Sequence, residues 1–483
     1  MFRITLLSLL LVLAPLGHVA ATTTSDLPEL GDSSSTSLTP TQSRLIGSEI
    51  VHRMRKAGYV MDDPLISSYV EELGRSLAVH TGSAQSYTFF VVDAPSINAF
   101  ALPGGYIGIH SGLILASQTE SELASVVAHE IAHVSQHHLA RGVEQANRMN
   151  LPLTIAVMAT ILLSGGDPNV ANAAIAASLG GSAQMQLNFT RAHEHEADRV
   201  GMQLLANSQY DPQGMAAFFS RLQEQSRYYG EGAPEFLRTH PVTTARLAEA
   251  QSAAERYPRK MRVDTTAYQV AKARLRLHHS KSATQLMRVL DEQETSPQQS
   301  HNHDNDSYLR AITYIALQQP EKAENILKQL LSNTPGSIAY RETLGQHLFK
   351  QGKHQQAITL YREGLAHYPH NERLILSLCT NLLASRDYSS AREQLQGLLR
   401  RNPQSTAGYH LLAQLESETG NQAAAHLAQA EYYLLLEEPH SALEQLKLAK
   451  RIEKLDFYHA SRIEALNKDI TSTLDQMHRL GKE

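Results

Sequence analysis

Val127-Ala128-His129-Glu130-Ile131-Ala132-His133 is the stretch around which the 483-residue chain is best read. His129 and His133 stand at i and i+4, so on an α-helix their imidazoles leave one face and can share a single metal ion. Glu130 lies about 100° further round the same helix, which sets a carboxylate beside that metal without making it a ligand. A carboxylate so placed suits taking a proton from water. The pattern has this meaning only in a helix, and its flanks supply one. Thr119-Glu120-Ser121-Glu122 matches a capping box, in which Thr119 caps Glu122 and Glu122 reaches back. Leu123, Val126, Val127, Ile131 and Val134 then form an apolar stripe that seats the helix.

Upstream, apolar residues recur at helical spacing from Ser43 to Ala57 and from Pro64 to Val79, the second run opening on Asp63-Pro64 as cap and first-turn proline. Tyr87 to Val92, Asn98 to Leu102 and Tyr106 to His110 read as strands, the last after the turn Pro103-Gly104-Gly105. The edge of that small sheet can take an extended peptide by strand addition. Residues 22–41 are rich in Ser, Thr and Pro and read as a flexible lead-in. Residues 1–21 have the pattern of a cleaved secretory signal: Arg3, an apolar run from Ile4 to Leu16, then Val19-Ala20-Ala21. That run is shorter than the roughly 20 apolar residues needed to span a bilayer.

Downstream, Leu151 to Leu163 is almost wholly apolar and is followed by a run of small residues from Ala171 to Gly181. Its length suits a buried core helix. Its place between two metal-bearing segments suits a lid over the cleft, and contact with a membrane surface or an unfolded client is a further reading. The second segment is Arg191-Ala192-His193-Glu194-His195-Glu196-Ala197-Asp198-Arg199. Glu194 and Asp198 share a helix face. A hydrolytic zinc site typically takes three protein ligands and one water, which His129, His133 and Glu194 satisfy. Asp198 can then orient His129 through its other ring nitrogen.

Other sets compete on spacing alone. His133 and His137 are also i, i+4, with His138, His193 and His195 near in sequence, but that shift leaves no glutamate placed as base. Glu144 is close behind His133 for a third ligand, and a metzincin would need histidine where Leu139 stands.

H-E-x-x-H followed by E-x-x-x-D in the setting Glu196-Ala197-Asp198-Arg199 resembles the glzincin metallopeptidases related to the CAAX prenyl protease and the HtpX-type proteases. Asn98-Ala99-Phe100-Ala101-Leu102-Pro103-Gly104-Gly105, Thr239-His240-Pro241 and Arg246 look like the same family. The resemblance implies that Glu194, rather than Glu196, is the third zinc ligand and that Glu130 and Asp198 are the catalytic carboxylates. It also makes Asn98, Phe100 and Arg246 candidate substrate contacts, although Arg246 could equally pair with a carboxylate. In exported members, a histidine placed like His240 occupies the fourth zinc position and holds the enzyme off. One Zn2+ per chain is implied.

Beyond about Tyr268 the pattern becomes paired amphipathic helices. Ala323, Ala357, Ala391 and Ala425 are spaced by 34, Pro335, Pro369 and Pro403 keep that period, and Ala311, Gly345, Cys379 and Ala413 mark the matching small position of each first helix. This is the tetratricopeptide period, whose stacked units present a binding surface. Ala442 follows Ala425 by 17, half a period, which suits a terminal cap. His301-Asn302-His303-Asp304 reads as a solvated loop.

Composition excludes several classes. A formal charge of -5 leaves no footprint for nucleic acid. A single cysteine, Cys379, excludes an intrachain disulfide framework, and a packing role explains it. The expected architecture is therefore an α+β zincin-like peptidase domain at 42–263, mostly helical with a small sheet, followed by an all-α tetratricopeptide solenoid at 264–483. That order resembles the repeat-bearing periplasmic glzincins of Gram-negative bacteria. What it implies is a zinc endopeptidase with a chaperone-like role, acting on unfolded or misassembled outer-membrane proteins, with the repeats docking to the assembly machinery. The alternative is a latent or non-proteolytic scaffold that works through its repeats. Deleting residues 264–483 is expected to leave a working peptidase.

Overall fold

A computed structural model describes residues 39–148, 183–229, 234–294, 303–436, 438–452 and 457–480. The leader, most of the lead-in and the apolar stretch expected to form a lid lie outside the described residues.

Local signals set the first elements. Helix α1 (Pro40–Lys56) starts earlier than Ser43 because Thr39 and Gln42 form a reciprocal cap, each side chain accepting the other's backbone N–H. Helix α2 (Pro64–Ala78) is capped by Asp63, whose carboxylate accepts from the N–H groups of Leu65 and Ile66. Strands β1 (Thr88–Val92), β2 (Ala99–Leu102) and β3 (Tyr106–His110) form a sheet of order β1-β3-β2, with β1 parallel and β2 antiparallel to β3. Strand alternation divides its side chains. Val91, Ala99, Ile107 and Ile109 enter the main core with α2, whereas Phe90, Val92, Phe100 and Leu102 pack with Ile50, Val51 and Met54 of α1.

Helix α3 (Ser111–Ala116) leads into α4 (Glu120–Ser135), the metal-bearing helix. Thr119 accepts the N–H of Glu122, as expected. The return arm differs: Glu122 accepts instead from Gln118 N–H, 2.6 Å away, and pairs with Arg221, which draws the carboxylate off Thr119. Almost all of α4 is buried, because it runs through the centre of the unit. Helices α5 (His138–Arg148), α6 (Ala183–Asn207), α7 (Gln213–Tyr229), α8 (Glu235–Thr239) and α9 (Thr244–Glu255) surround it. Gly201 lets α6 approach α4 closely, since a Cβ there would lie 3.2 Å from the backbone nitrogen of His129.

Helix α10 (Thr266–His278) is shared. Tyr268, Ala271 and Leu275 belong to the peptidase core, while Val270 and Ala273 belong to the core of the helical repeats. Its start is pinned to that of α4: Glu120 N–H donates to Asp264 and the Glu120 carboxylate accepts from Thr265 N–H and Oγ1. After α11 (Ala283–Glu294) come the pairs α12 (His303–Ala316) and α13 (Pro320–Asn333), α14 (Ile338–Lys350) and α15 (His354–His367), α16 (Glu372–Ala384) and α17 (Tyr388–Arg401), then α18 (Thr406–Glu418) and α19 (Gln422–Leu435). Ala323, Ala357, Cys379 and Ala391 are fully buried where paired helices meet. Gly345 is required for the same reason, as a Cβ there would sit 2.1 Å from the Tyr361 hydroxyl. Helices α20 (Pro439–Lys450) and α21 (Phe457–Leu480) join α19 in a separate small core of Ala430, Ala442, Leu446 and Ile463. The half-period at Ala442 marks that change.

The repeats also touch the peptidase unit away from α10. Leu65 lies in their core, Arg373 donates to the carbonyl of Pro64, and Glu438 approaches His52 at 3.5 Å, while from α10 itself Arg274 pairs with Asp63 at 2.7 Å. Among the described residues no helix is long and apolar enough to cross a membrane. The architecture is thus an α+β peptidase unit with a three-stranded sheet, followed by an all-α repeat array.

Candidate metal centre

Helix α4 presents His129 and His133 on one face, α6 presents Glu194 opposite them, and the end of α8 adds His240. One donor atom from each of these four lies within 4.8 Å of the others. The two Nε2 atoms are 3.0 Å apart, Glu194 is 3.3 Å from His133 Nε2 and 3.4 Å from His129 Nε2, and His240 Nδ1 is 2.9 Å from Glu194 and 3.4 Å from His129 Nε2. A tetrahedral zinc with bonds of about 2.0–2.1 Å sets its ligand atoms about 3.4 Å apart, so this donor set fits that ion in type and spacing.

Glu130 stands beside the cluster. It is 1% exposed, its Oε1 lacks a hydrogen-bond partner, and that oxygen lies 3.6 Å from His240 Nε2. Burial raises its pKa, against the pull of His240 and His129. A carboxylate held this way has a lone pair to spare for a proton.

The surrounding charges favour a cation at the centre. Burial disfavours a charged His129, but Asp198 and Glu194 outweigh it and push its pKa up to about 10. Burial, reinforced by the charge on His129, holds His133 down at about 3 despite Glu194. Glu194 is buried yet sits well below the usual carboxylate range because of His240, His129 and His133.

Asp198 approaches His129 from behind, 3.0 Å from Nδ1, although the ring N–H is not aligned on it. Arg246 grips the same carboxylate. Its Nε and Nη2 donate to Asp198 at 2.7 and 2.8 Å, and Nη1 lies 2.9 Å from Glu194. Arg246 is 2% exposed, with Asp198 and Glu194 as its carboxylate partners. The side chain of Phe100 points to α1 on the face of the sheet away from α4 and packs against Phe90 and His110. Asn98 is 3% exposed beside β2, with its side-chain oxygen unpartnered and its carbonyl accepting from His110 N–H.

The competing ligands are placed elsewhere. Helix α4 ends at Ser135 and His137 has φ 54°, so His133 and His137 do not share a helical face. Glu144 is outside the donor group, and His195 is paired with Glu249 at 2.7 Å. Glu196 lies against His138 and Arg141. His138, read in the sequence only as part of a shifted site, contacts His133 from behind and stacks on His193 at 4.1 Å. Phe236, absent from the sequence reading, is fully buried against His129 and His240 and seats the latter. Its place four residues ahead of His240, about one helical turn, was the available signal.

Known proteins match this arrangement over its whole length. The model of Peptidase family M48 covers residues 63–254, and tetratricopeptide-repeat models cover 308–372 and 348–415. The Beta-barrel assembly-enhancing protease of Escherichia coli K12 is 32% identical over 481 residues, spanning 98% of this chain and 96% of that one. The protein of the same name from Yersinia pestis is 31% identical over 486 residues, with 99% and 98% covered. The Mitochondrial metalloendopeptidase OMA1 of Arabidopsis thaliana is 31% identical over 156 residues, 32% of this chain and 29% of that one. With identity sustained through both the peptidase unit and the repeats, the chain belongs to peptidase family M48 as a repeat-bearing metalloendopeptidase of the beta-barrel assembly-enhancing protease group.

Proposed function

We propose that this chain is a zinc-dependent endopeptidase of the periplasm that cleaves misassembled outer-membrane β-barrel proteins and docks through its repeats to the machinery that assembles them. Supporting the location are the secretory pattern of residues 1–21 and the names of the bacterial relatives. Residues 42–263 would form the peptidase domain and residues 264–483 the repeat domain, with α10 packed into the cores of both. His129, His133 and Glu194 would hold the zinc. The ion, when bound, supplies a Lewis acid for the scissile carbonyl. Glu130 accepts a proton from the attacking water and returns it to the leaving amine, the task its buried, partner-poor carboxylate suits. Asp198 and Arg246 hold His129 and Glu194 in place.

The convergence of the two Nε2 atoms and the Glu194 carboxylate, with Glu130 alongside, carries this reading. A second reading, a latent enzyme or scaffold, is favoured by His240, which lies between Glu194 at 2.9 Å and Glu130 at 3.6 Å. Zinc content and casein cleavage of the wild type, Glu130→Gln and His240→Ala separate the two. Zinc in all three, with cleavage lost in the first variant and raised in the second, supports a self-inhibited peptidase. Zinc without cleavage in any of them supports the scaffold.

A further inference from the structure

His133 is held from behind by a chain of side chains. His138 Nδ1 lies 2.9 Å from His133 Nδ1, and His138 Nε2 lies 3.1 Å from Glu196 Oε2. Arg141 fixes the same Glu196 oxygen at 2.9 Å. The protons on this chain have one consistent arrangement. A neutral imidazole that offers Nε2 to a metal carries its hydrogen on Nδ1, so His133 donates to His138 Nδ1. His138 then carries its hydrogen on Nε2 and donates to Glu196.

We infer that Glu196 and His138 are positioning residues for the metal centre, forming an imidazole-to-carboxylate relay that fixes the tautomer and ring plane of His133. The inference rests on the metal-site reading above and extends it to two residues outside the ligand set. It accounts for the spacing of the acidic residues on α6. Glu194 faces the donor group, Asp198 backs His129 directly, and Glu196 backs His133 through one intervening ring. The turn at His137 serves the same end. Its left-handed backbone, φ 54°, breaks α4 and brings the next residue back under His133. His193 stacks on His138 with rings 8° from parallel, which restrains that ring. Partners of this kind typically change metal affinity by about 10- to 100-fold.

The test uses the full chain and reads zinc affinity by competition with a chromogenic chelator, beside kcat and KM for a casein-derived peptide. Expected are zinc affinities weakened at least about 10-fold by His138→Ala and by Glu196→Gln, with kcat lowered and KM held. His138→Asn keeps an acceptor for His133 but not the link to Glu196, and should fall between wild type and His138→Ala. In the double variant His138→Ala with Glu196→Gln, the second change should add nothing, because it acts only through the first. Should His138→Ala be poorly folded, His138→Asn and Glu196→Gln carry the test alone. Wild-type zinc affinity in both of these, or losses that add in the double variant, would overturn the inference. If the wild type itself binds no zinc, the reading of the site fails instead.

Discussion

Arg246 and Asp198 form a two-pronged pair, Nε to Oδ2 at 2.7 Å and Nη2 to Oδ1 at 2.8 Å, with the guanidinium almost wholly buried. The arginine thereby ties α9 to α6 and neutralises carboxylates that would otherwise repel each other beside the site. Burial opposes its charge, but Asp198 and Glu194 more than restore it. Arg246→Ala removes the guanidinium from between the two carboxylates, leaving them only the neighbouring histidines, and should cost about 3–5 kcal/mol of stability, read by urea unfolding of the metal-free chain. Arg246→Lys should recover little, because an ammonium cannot fork across the two oxygens. A loss below about 0.5 kcal/mol in the alanine variant would mean the pair is not structural.

Glu130 has the opposite economy. Its carboxylate is buried, one oxygen has no hydrogen bond, and burial is the main cause of its raised pKa. Glu130→Gln removes that penalty, so the metal-free variant should unfold at or above the wild type, by about 0.5–2 kcal/mol at neutral pH. The folded carboxyl holds its proton to higher pH than the unfolded one. The wild type therefore loses stability relative to the variant as pH rises through that range, and the two converge in acid. A variant less stable than wild type at neutral pH would show that the ionised carboxylate is satisfied where it stands.

How much of this was legible in the sequence follows from the range over which each signal acts. His129, Glu130 and His133 were readable because helix geometry alone aligns them, and Glu194 because it shares a face with Asp198 and the family resemblance singled it out over Glu196. The side of the sheet taken by Phe100 was also written locally. Ala99 and Ala101 are small where α4 passes, so alternation puts Phe100 on the other face. His138 was not readable, since its approach to His133 depends on a single left-handed residue at His137 in a helical pattern that gives no sign of it. The double allegiance of α10 was hidden too, because Tyr268, Val270, Ala271, Ala273 and Leu275 fit a repeat helix as well as a helix with two buried faces.

Glu342, deep in the repeats, predicts a pH dependence far from the metal. Burial pushes its pKa up to about 7, only partly offset by the Ser377 hydroxyl and by Arg373, and its Oε1 has no partner. The folded chain therefore holds a proton that the unfolded chain releases between about 4.5 and 7, so this residue lowers stability as pH climbs through that window. The full effect is on the order of 3 kcal/mol. Glu342→Gln should remove it. Urea unfolding at several pH values checks this: the variant should gain on the wild type from pH 5 upward and hold its lead above neutrality. Parallel pH profiles would show that Glu342 is not the source.

Truncation at residue 263 was expected to free a working peptidase, and the position of α10 argues otherwise. Tyr268 packs with the main core and donates its hydroxyl to the carbonyl of Ser117 at 2.9 Å, while Asp264 and Thr265 satisfy Glu120 at the start of the metal-bearing helix. A chain ending at 263 would open that core and leave the buried Glu120 carboxylate without Thr265. Burying one Tyr and one Leu side chain is each worth about 1.5–3 kcal/mol, so the loss of about 3–6 kcal/mol is a large fraction of the roughly 5–15 kcal/mol that holds a typical domain. A chain ending at 281 keeps α10 and exposes its repeat-facing side, Val270 and Ala273, together with Leu65 of α2. Thermal unfolding and casein cleavage of the two truncations should therefore separate sharply, with the longer one folded and active and the shorter one unfolded or inactive. Equal stability would mean that α10 belongs to the repeats alone.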